Sequence, residues 1–161
     1  MSVNIRISED QLSSDLALMP EDTYSAELTD ITTKLSKSSQ QPVSWFIWTV
    51  TSDPLEPIDE ELFPDLQGST VGKKVLDSYS LQENAIWRLN QIFKILTQEN
   101  LPTDQDYSME EFNEMLKERL VGSDVTMQLS IEEDNNGVQR NRPESIVPQQ
   151  RRKGGRGKRK K

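Results

Sequence analysis

Neither cysteine nor histidine occurs among the 161 residues. Disulfides and thiolate metal sites are thereby excluded, and zinc chemistry and histidine acid–base catalysis lose their usual residues. No run of about 18 apolar residues is present, as a membrane-spanning helix would need. Met1–Asp15 has neither the charged start nor the apolar stretch of a secretory signal, so a cytoplasmic protein that avoids membranes is expected. Hydrophobic residues make up only 33% of the chain, which fits one compact domain diluted by polar ends and a long loop. No nucleophile–base pair or phosphate-binding glycine loop can be read. The acids around Asp53 and Asp59–Glu61 lack the spacing of a calcium loop or a two-metal nuclease. The expectation is a non-enzyme without metal or other cofactor.

What the chain does have is charge, unevenly placed. Arg151, Arg152, Lys153, Arg156, Lys158, Arg159, Lys160 and Lys161 are eight of its 19 basic residues, in a segment with no acid. Subtracting that +8 from the net −8 leaves −16 for residues 1–150. The segment has no apolar residue to bury and is expected to be disordered, and its charges are suited to displacing phosphate counterions. Folding back onto the acidic body, or nuclear targeting in a eukaryote, would use the same charges.

Organisation follows from hydrophobic period. Residues 1–20 read as a loose arm, 21–148 as the domain, 52–69 as a surface insertion within it, and 149–161 as the basic tail. Tyr24, Ala26 and Leu28 alternate with polar residues, after which the pattern shifts to Ile31, Thr33 and Leu35, predicting a strand bent by a bulge near Thr29 and Asp30. Val43–Val50 is apolar on both faces and reads as a central strand. Thr70–Tyr79 gives a third. Ser80-Leu81-Gln82-Glu83 is a capping box predicting a helix over 81–98. Ser108-Met109-Glu110-Glu111, with Tyr107 and Phe112 as a staple, predicts another over 109–120. Strict alternation from Val125 to Ile131 and the turn pair Asn136-Gly137 predict a closing hairpin.

Three strands, a helical segment and two strands is the order of the OB fold, a five-stranded Greek-key barrel whose helical segment between strands 3 and 4 plugs one end. A mainly β protein with this barrel is therefore expected. Such barrels commonly bind single strands by stacking bases on aromatics while lysines and arginines track phosphates.

The body also resembles a family of bacteriophage single-stranded DNA-binding proteins. The likeness is carried by Pro20–Tyr24, Ser36–Ser38, Gly72–Leu81, Ala85–Leu89, Val121–Val125 and Asn141–Pro143, over roughly residues 20–148. It implies an OB-type barrel that coats single-stranded DNA in phage replication or recombination, with proteins of those processes as partners and a homo-oligomer left open. The chain departs from the acidic tail common in such proteins, since it ends in a basic one. The competing expectation is an acidic interaction module that docks on a replication or recombination partner, only its tail touching nucleic acid.

Candidate binding residues are the eight tail cations, Lys34 and Lys37 flanking the first turn, Lys73, Lys74 and Tyr79 on the third strand, and Arg140 and Arg142 on or after the last. Trp45 and Trp48 lie on opposite faces of the second strand, and at least one should point outward. Trp45 is read as the stacking platform, and core packing beneath the insertion is the plain alternative. Trp87, Arg88 and Lys94 lie on the first helix, which in such a barrel sits away from the binding cleft, and Trp87 is expected to pack inside.

Overall fold

The computed structural model describes residues 16–149. Five strands, β1 (Asp22–Leu35), β2 (Pro42–Val50), β3 (Lys74–Ser80), β4 (Asp124–Glu133) and β5 (Gln139–Pro148), form one antiparallel sheet in the order β3-β2-β1-β4-β5. Two helices, α1 (Ile86–Thr97) and α2 (Met109–Leu120), lie between β3 and β4 in the chain. In β1 the pairing with β2 slips between Leu28 and Asp30, the bulge that the shift in hydrophobic period predicts.

The sheet does not close. β3 and β5 are its two edges, and among the described residues no ladder joins them. The expected OB-type Greek-key barrel is therefore corrected to a mixed α/β domain with an open five-stranded antiparallel sheet and two helices. The residues at the seam account for this. Pro143 has no N–H to offer a neighbouring strand, and the β4–β5 register jumps from Gln128↔Ser145 to Leu129↔Pro143, leaving Glu144 over. The charges of Arg88 and Arg142 also act on Asp77 at this seam.

The core lies on the inward side of the sheet beneath the helices. Phe46, Trp48 and Val50 of β2 meet Tyr24, Ala26, Leu28 and Ile31 of β1, Val125, Met127 and Leu129 of β4, and Leu89, Ile92, Phe93, Leu116 and Leu120 of the helices. Phe46 and Tyr79 stack edge to face with ring centres 4.9 Å apart, a favoured aromatic geometry. α2 starts as its sequence predicts: the Ser108 hydroxyl accepts from the Glu111 N–H, and the Glu111 carboxylate accepts from the Ser108 N–H, both at 3.0 Å. α1 starts five residues later than its capping box predicts, at an N-cap Ala85 with no side-chain cap. β-pairing claims this stretch first, because Ser80 pairs with Val43 and the Leu81 N–H donates to the Pro42 carbonyl at 3.0 Å. The Ser80 hydroxyl accepts instead from Gln82 N–H, within a turn.

Residues 52–69 carry no strand of the sheet and are anchored to the body. Asp53 accepts from Thr70 N–H at 2.9 Å and from Ser69 hydroxyl at 2.8 Å, while Leu66 is buried in the core. The end of the expected loose arm is docked as well. Met19 is fully buried, and its backbone exchanges two hydrogen bonds with the Asn141 amide, at 2.8 and 2.9 Å. Residues 1–15 and 150–161, including the basic tail, lie outside the described residues. Among the described residues no helix is long and apolar enough to cross a membrane.

Candidate nucleic-acid interface

Strand alternation gives β2 two different faces. Phe46, Trp48 and Val50 point into the core, and Trp45, Ile47 and Thr49 point away from it, half-buried. The register continues this outward face onto β3 through Trp45↔Ser78, Ile47↔Leu76 and Thr49↔Lys74. Lys34 of β1 holds its ammonium 6.0 Å from the centre of the Trp45 ring, at the edge of cation–π range. Lys74 Nζ donates to Thr49 Oγ1 at 3.4 Å.

The β4–β5 hairpin supplies the opposite wall. It turns at Asp134–Gly137, where Gly137 takes a φ of +81°, a left-handed value that side chains other than glycine rarely accept. Asp134 Oδ1 accepts the Asn136 and Val138 N–H groups at 2.8 and 3.0 Å. The Val138 and Asn136 bonds hold the Asp134 carboxyl below the usual carboxylate range. Beyond this turn, Arg140 and Arg142 come to face Trp45, Leu76, Ser78 and Arg88 across an open cleft of about 360 Å³. A second cleft of about 300 Å³ continues along the seam between β3 and β5, past Arg88, Tyr79 and Ile146.

Acids share this cleft. Arg140 lies 3.5 Å from Asp134 and Arg142 lies 3.3 Å from Glu132. Both arginine side chains are at least half exposed, and ion pairs of this kind are worth about 0–1 kcal/mol, so a phosphate can take their place. Arg88 stacks with its guanidinium carbon 5.5 Å from the centre of the Tyr79 ring. Burial pushes the Asp77 carboxyl above its ordinary value, against the hydrogen bonds from Tyr79 and Ser78 and the charges of Arg88 and Arg142. Burial, with Asp77 beside it, also raises the Tyr79 phenol well above its ordinary value.

The sequence-predicted residues therefore divide. Lys34, Trp45 and Lys74 sit on or beside the outward β2–β3 face, and Arg140 and Arg142 rim it. Lys37 is exposed in the β1–β2 turn. Lys73 lies at the foot of β3, its carbonyl accepting from Val50 N–H. Trp48 is corrected to a core residue: it is completely buried between the inward-pointing Phe46 and Val50, with no face for a base. Tyr79 is 5% exposed and packed against Phe46, so it too belongs to the core. Arg151, Arg152, Lys153, Arg156, Lys158, Arg159, Lys160 and Lys161 lie outside the described residues.

No known protein family and no curated protein matches this sequence. The resemblance to phage single-stranded DNA-binding proteins is thereby corrected, because the barrel it implied is an open sheet. A role in phage replication or recombination then has no support from kinship.

Two residues of α1 differ from their sequence expectation. Arg88, expected with its helix to lie away from any binding cleft, lines both clefts of the seam. The available signal is its place next to Leu89 at the margin of the apolar stripe formed by Leu89, Ile92 and Phe93. Trp87, expected to pack, is 56% exposed on the opposite side of that stripe. Among the described residues no group of three or more acids is placed to hold a metal ion.

Proposed function

We propose that this protein binds single-stranded nucleic acid, DNA in the first instance, across the outward face of β2 and β3. Bases would stack on Trp45, and phosphates would meet Lys34, Lys74, Arg88, Arg140 and Arg142. The observation that carries this reading is Trp45 itself: a tryptophan turned away from the core, half-buried in a cleft, with Lys34 beside its ring and two arginines opposite. Single-strand binders combine such stacking platforms with cationic grooves and tolerate many sequences, because every base has a π-face. The proposed role is binding, with no chemical step assigned to any residue.

The test is fluorescence and anisotropy titration with oligo-dT and with duplex of the same length. Oligo-dT should bind more tightly and quench tryptophan emission. Trp45→Ala should remove about 1–3 kcal/mol of binding, roughly a five- to 150-fold rise in Kd. Trp87→Phe, which alters the other accessible indole, should retain most of the quenching. Equal binding of duplex together with an unchanged Kd for Trp45→Ala would sink the proposal.

A further inference from the structure

Away from the β2–β3 face, a groove of about 320 Å³ lies between the start of α1, the connection that follows it and the first turn of α2. Its lining is mainly apolar, from Leu81, Ile86, Leu101, Tyr107, Met109 and Phe112, with Gln105 and Ser108 as polar members. The wall is fixed, because Tyr107 and Phe112 meet edge to face at 5.5 Å beside the capped start of α2. Met109 stands at the lip, 40% exposed. Thioether side chains in such positions adapt to differing apolar partners, and apolar surface rimmed by polar residues marks interaction sites.

The flanking charge is predominantly acidic, although Glu99 is paired with Arg119 at 2.6 Å. Between Ile95 and Leu116 the chain carries Glu99, Asp104, Asp106, Glu110, Glu111 and Glu114 and no lysine or arginine. Asp104, Asp106 and Glu110 are exposed, and none of the three belongs to an ion pair among the described residues. This combination selects the occupant. A nucleic acid would be repelled by the acids. The chain's own residues 151–161 bring charge but no apolar side chain to fill the groove.

We infer that the groove docks a cationic peptide segment of another protein, one that presents a large apolar side chain between lysines or arginines. The apolar side chain fills the floor formed by Leu101, Tyr107 and Phe112, and the cations meet Asp104, Asp106 and Glu110. Such a site leaves the Trp45 face free, so a partner and a nucleic acid can be held together.

The probe is a fluorescein-labelled peptide of about 12 residues, roughly three helical turns, with lysines and with leucines at helical spacing. One control peptide replaces the leucines with serine, and another replaces the lysines with glutamate. Full-length protein should bind the lysine–leucine peptide saturably, and each control at least about tenfold more weakly. Asp106→Lys/Glu110→Gln and, separately, Met109→Glu should each weaken binding by a similar factor, with unfolding still cooperative and the protein fully folded at the assay temperature. Glu60→Lys/Glu61→Lys, which reverses charge in the 52–69 insertion, should leave binding as it was. The inference is overturned if the serine peptide binds equally well, or if the insertion variant loses as much as the groove variants. It is equally overturned if no saturable binding occurs, or if Asp106→Lys/Glu110→Gln instead abolishes self-association of the protein.

Discussion

Asp77 carries the opposing demands of the seam in a single side chain. It points to the core side of β3 between the buried Val75 and Tyr79, and its carboxyl is raised by burial despite hydrogen bonds and two nearby arginines. A carboxyl whose folded value exceeds its unfolded one favours the folded state while protonated. It penalises that state once pH passes through the folded value. Asp77→Asn keeps an acceptor oxygen and removes the charge. The variant should therefore melt higher than the parent at pH 7, with the difference shrinking toward zero as pH falls through and below the ordinary carboxylate range. Thermal unfolding from pH 7 to pH 3 checks the sign, and an advantage that grows toward acid would contradict it. The two tryptophans of β2 show how far residue-level reading reaches. Alternation establishes that Trp45 and Trp48 face opposite ways. It does not say which faces in, because both sides of VSWFIWTV are apolar and the choice is made by the strands and helices that cover one side. Trp48 Nε1 ends fully buried without a hydrogen-bond partner, a cost of about 1–3 kcal/mol that its packing must offset.

Among the elements, the helix starts provide a controlled comparison. Both carry a serine followed three residues later by glutamate, yet only Ser108 caps its helix. Ser108→Ala should cost about 1 kcal/mol of stability, the usual loss for a removed N-cap. Ser80→Ala removes one hydroxyl hydrogen bond within a turn, at 3.2 Å from Gln82 N, and should cost clearly less. Denaturant midpoints of the two variants at constant slope decide it. Local sequence signals fail at Ser80 because strand pairing with Val43, a residue 37 positions away, holds the backbone extended. They succeed at Ser108, where no strand competes. The bulge in β1 and the turn at Asn136-Gly137 are readable for the same reason, since each is specified within a few adjacent residues.

At the scale of the whole molecule, closure is not legible in the sequence. The order of strands and helices follows from hydrophobic period, capping boxes and turn residues, but whether β3 meets β5 depends on groups contributed by three distant segments. Asp77, Arg88 and the Arg142–Pro143–Glu144 run carry no pattern that links them before the chain folds. The cleft inherits this limit: Trp45, Arg140 and Arg142 can be nominated individually, whereas Arg88 joins them only through tertiary structure. Charge balance is also a whole-chain property. Against a body of −16, the eight cations beyond residue 150 should mainly add affinity and salt dependence. Removing residues 151–161 should flatten the salt dependence of oligo-dT binding by about 0.7 in logarithmic slope for each phosphate that is no longer neutralised, while weaker binding persists. Complete abolition of binding on truncation would assign all phosphate recognition to the tail. Gln149, the last described residue, gives those cations a definite origin. Its amide donates to Ser25 Oγ at 2.7 Å and Thr126 Oγ1 at 3.0 Å, and its N–H to the Asp124 carbonyl at 2.9 Å. The tether point is thus fixed beside Ser25, seven positions along β1 from Thr32, the strand partner of Trp45. That separation is roughly 20–25 Å at strand rise, and the residues beyond Gln149 can span at most about 40 Å. By covalent length alone, the cleft therefore lies within the span from that point to residues 156–161. Inserting glycines and serines after Gln149 would place the same charges at a greater covalent distance from the cleft while leaving every group in the cleft as it is.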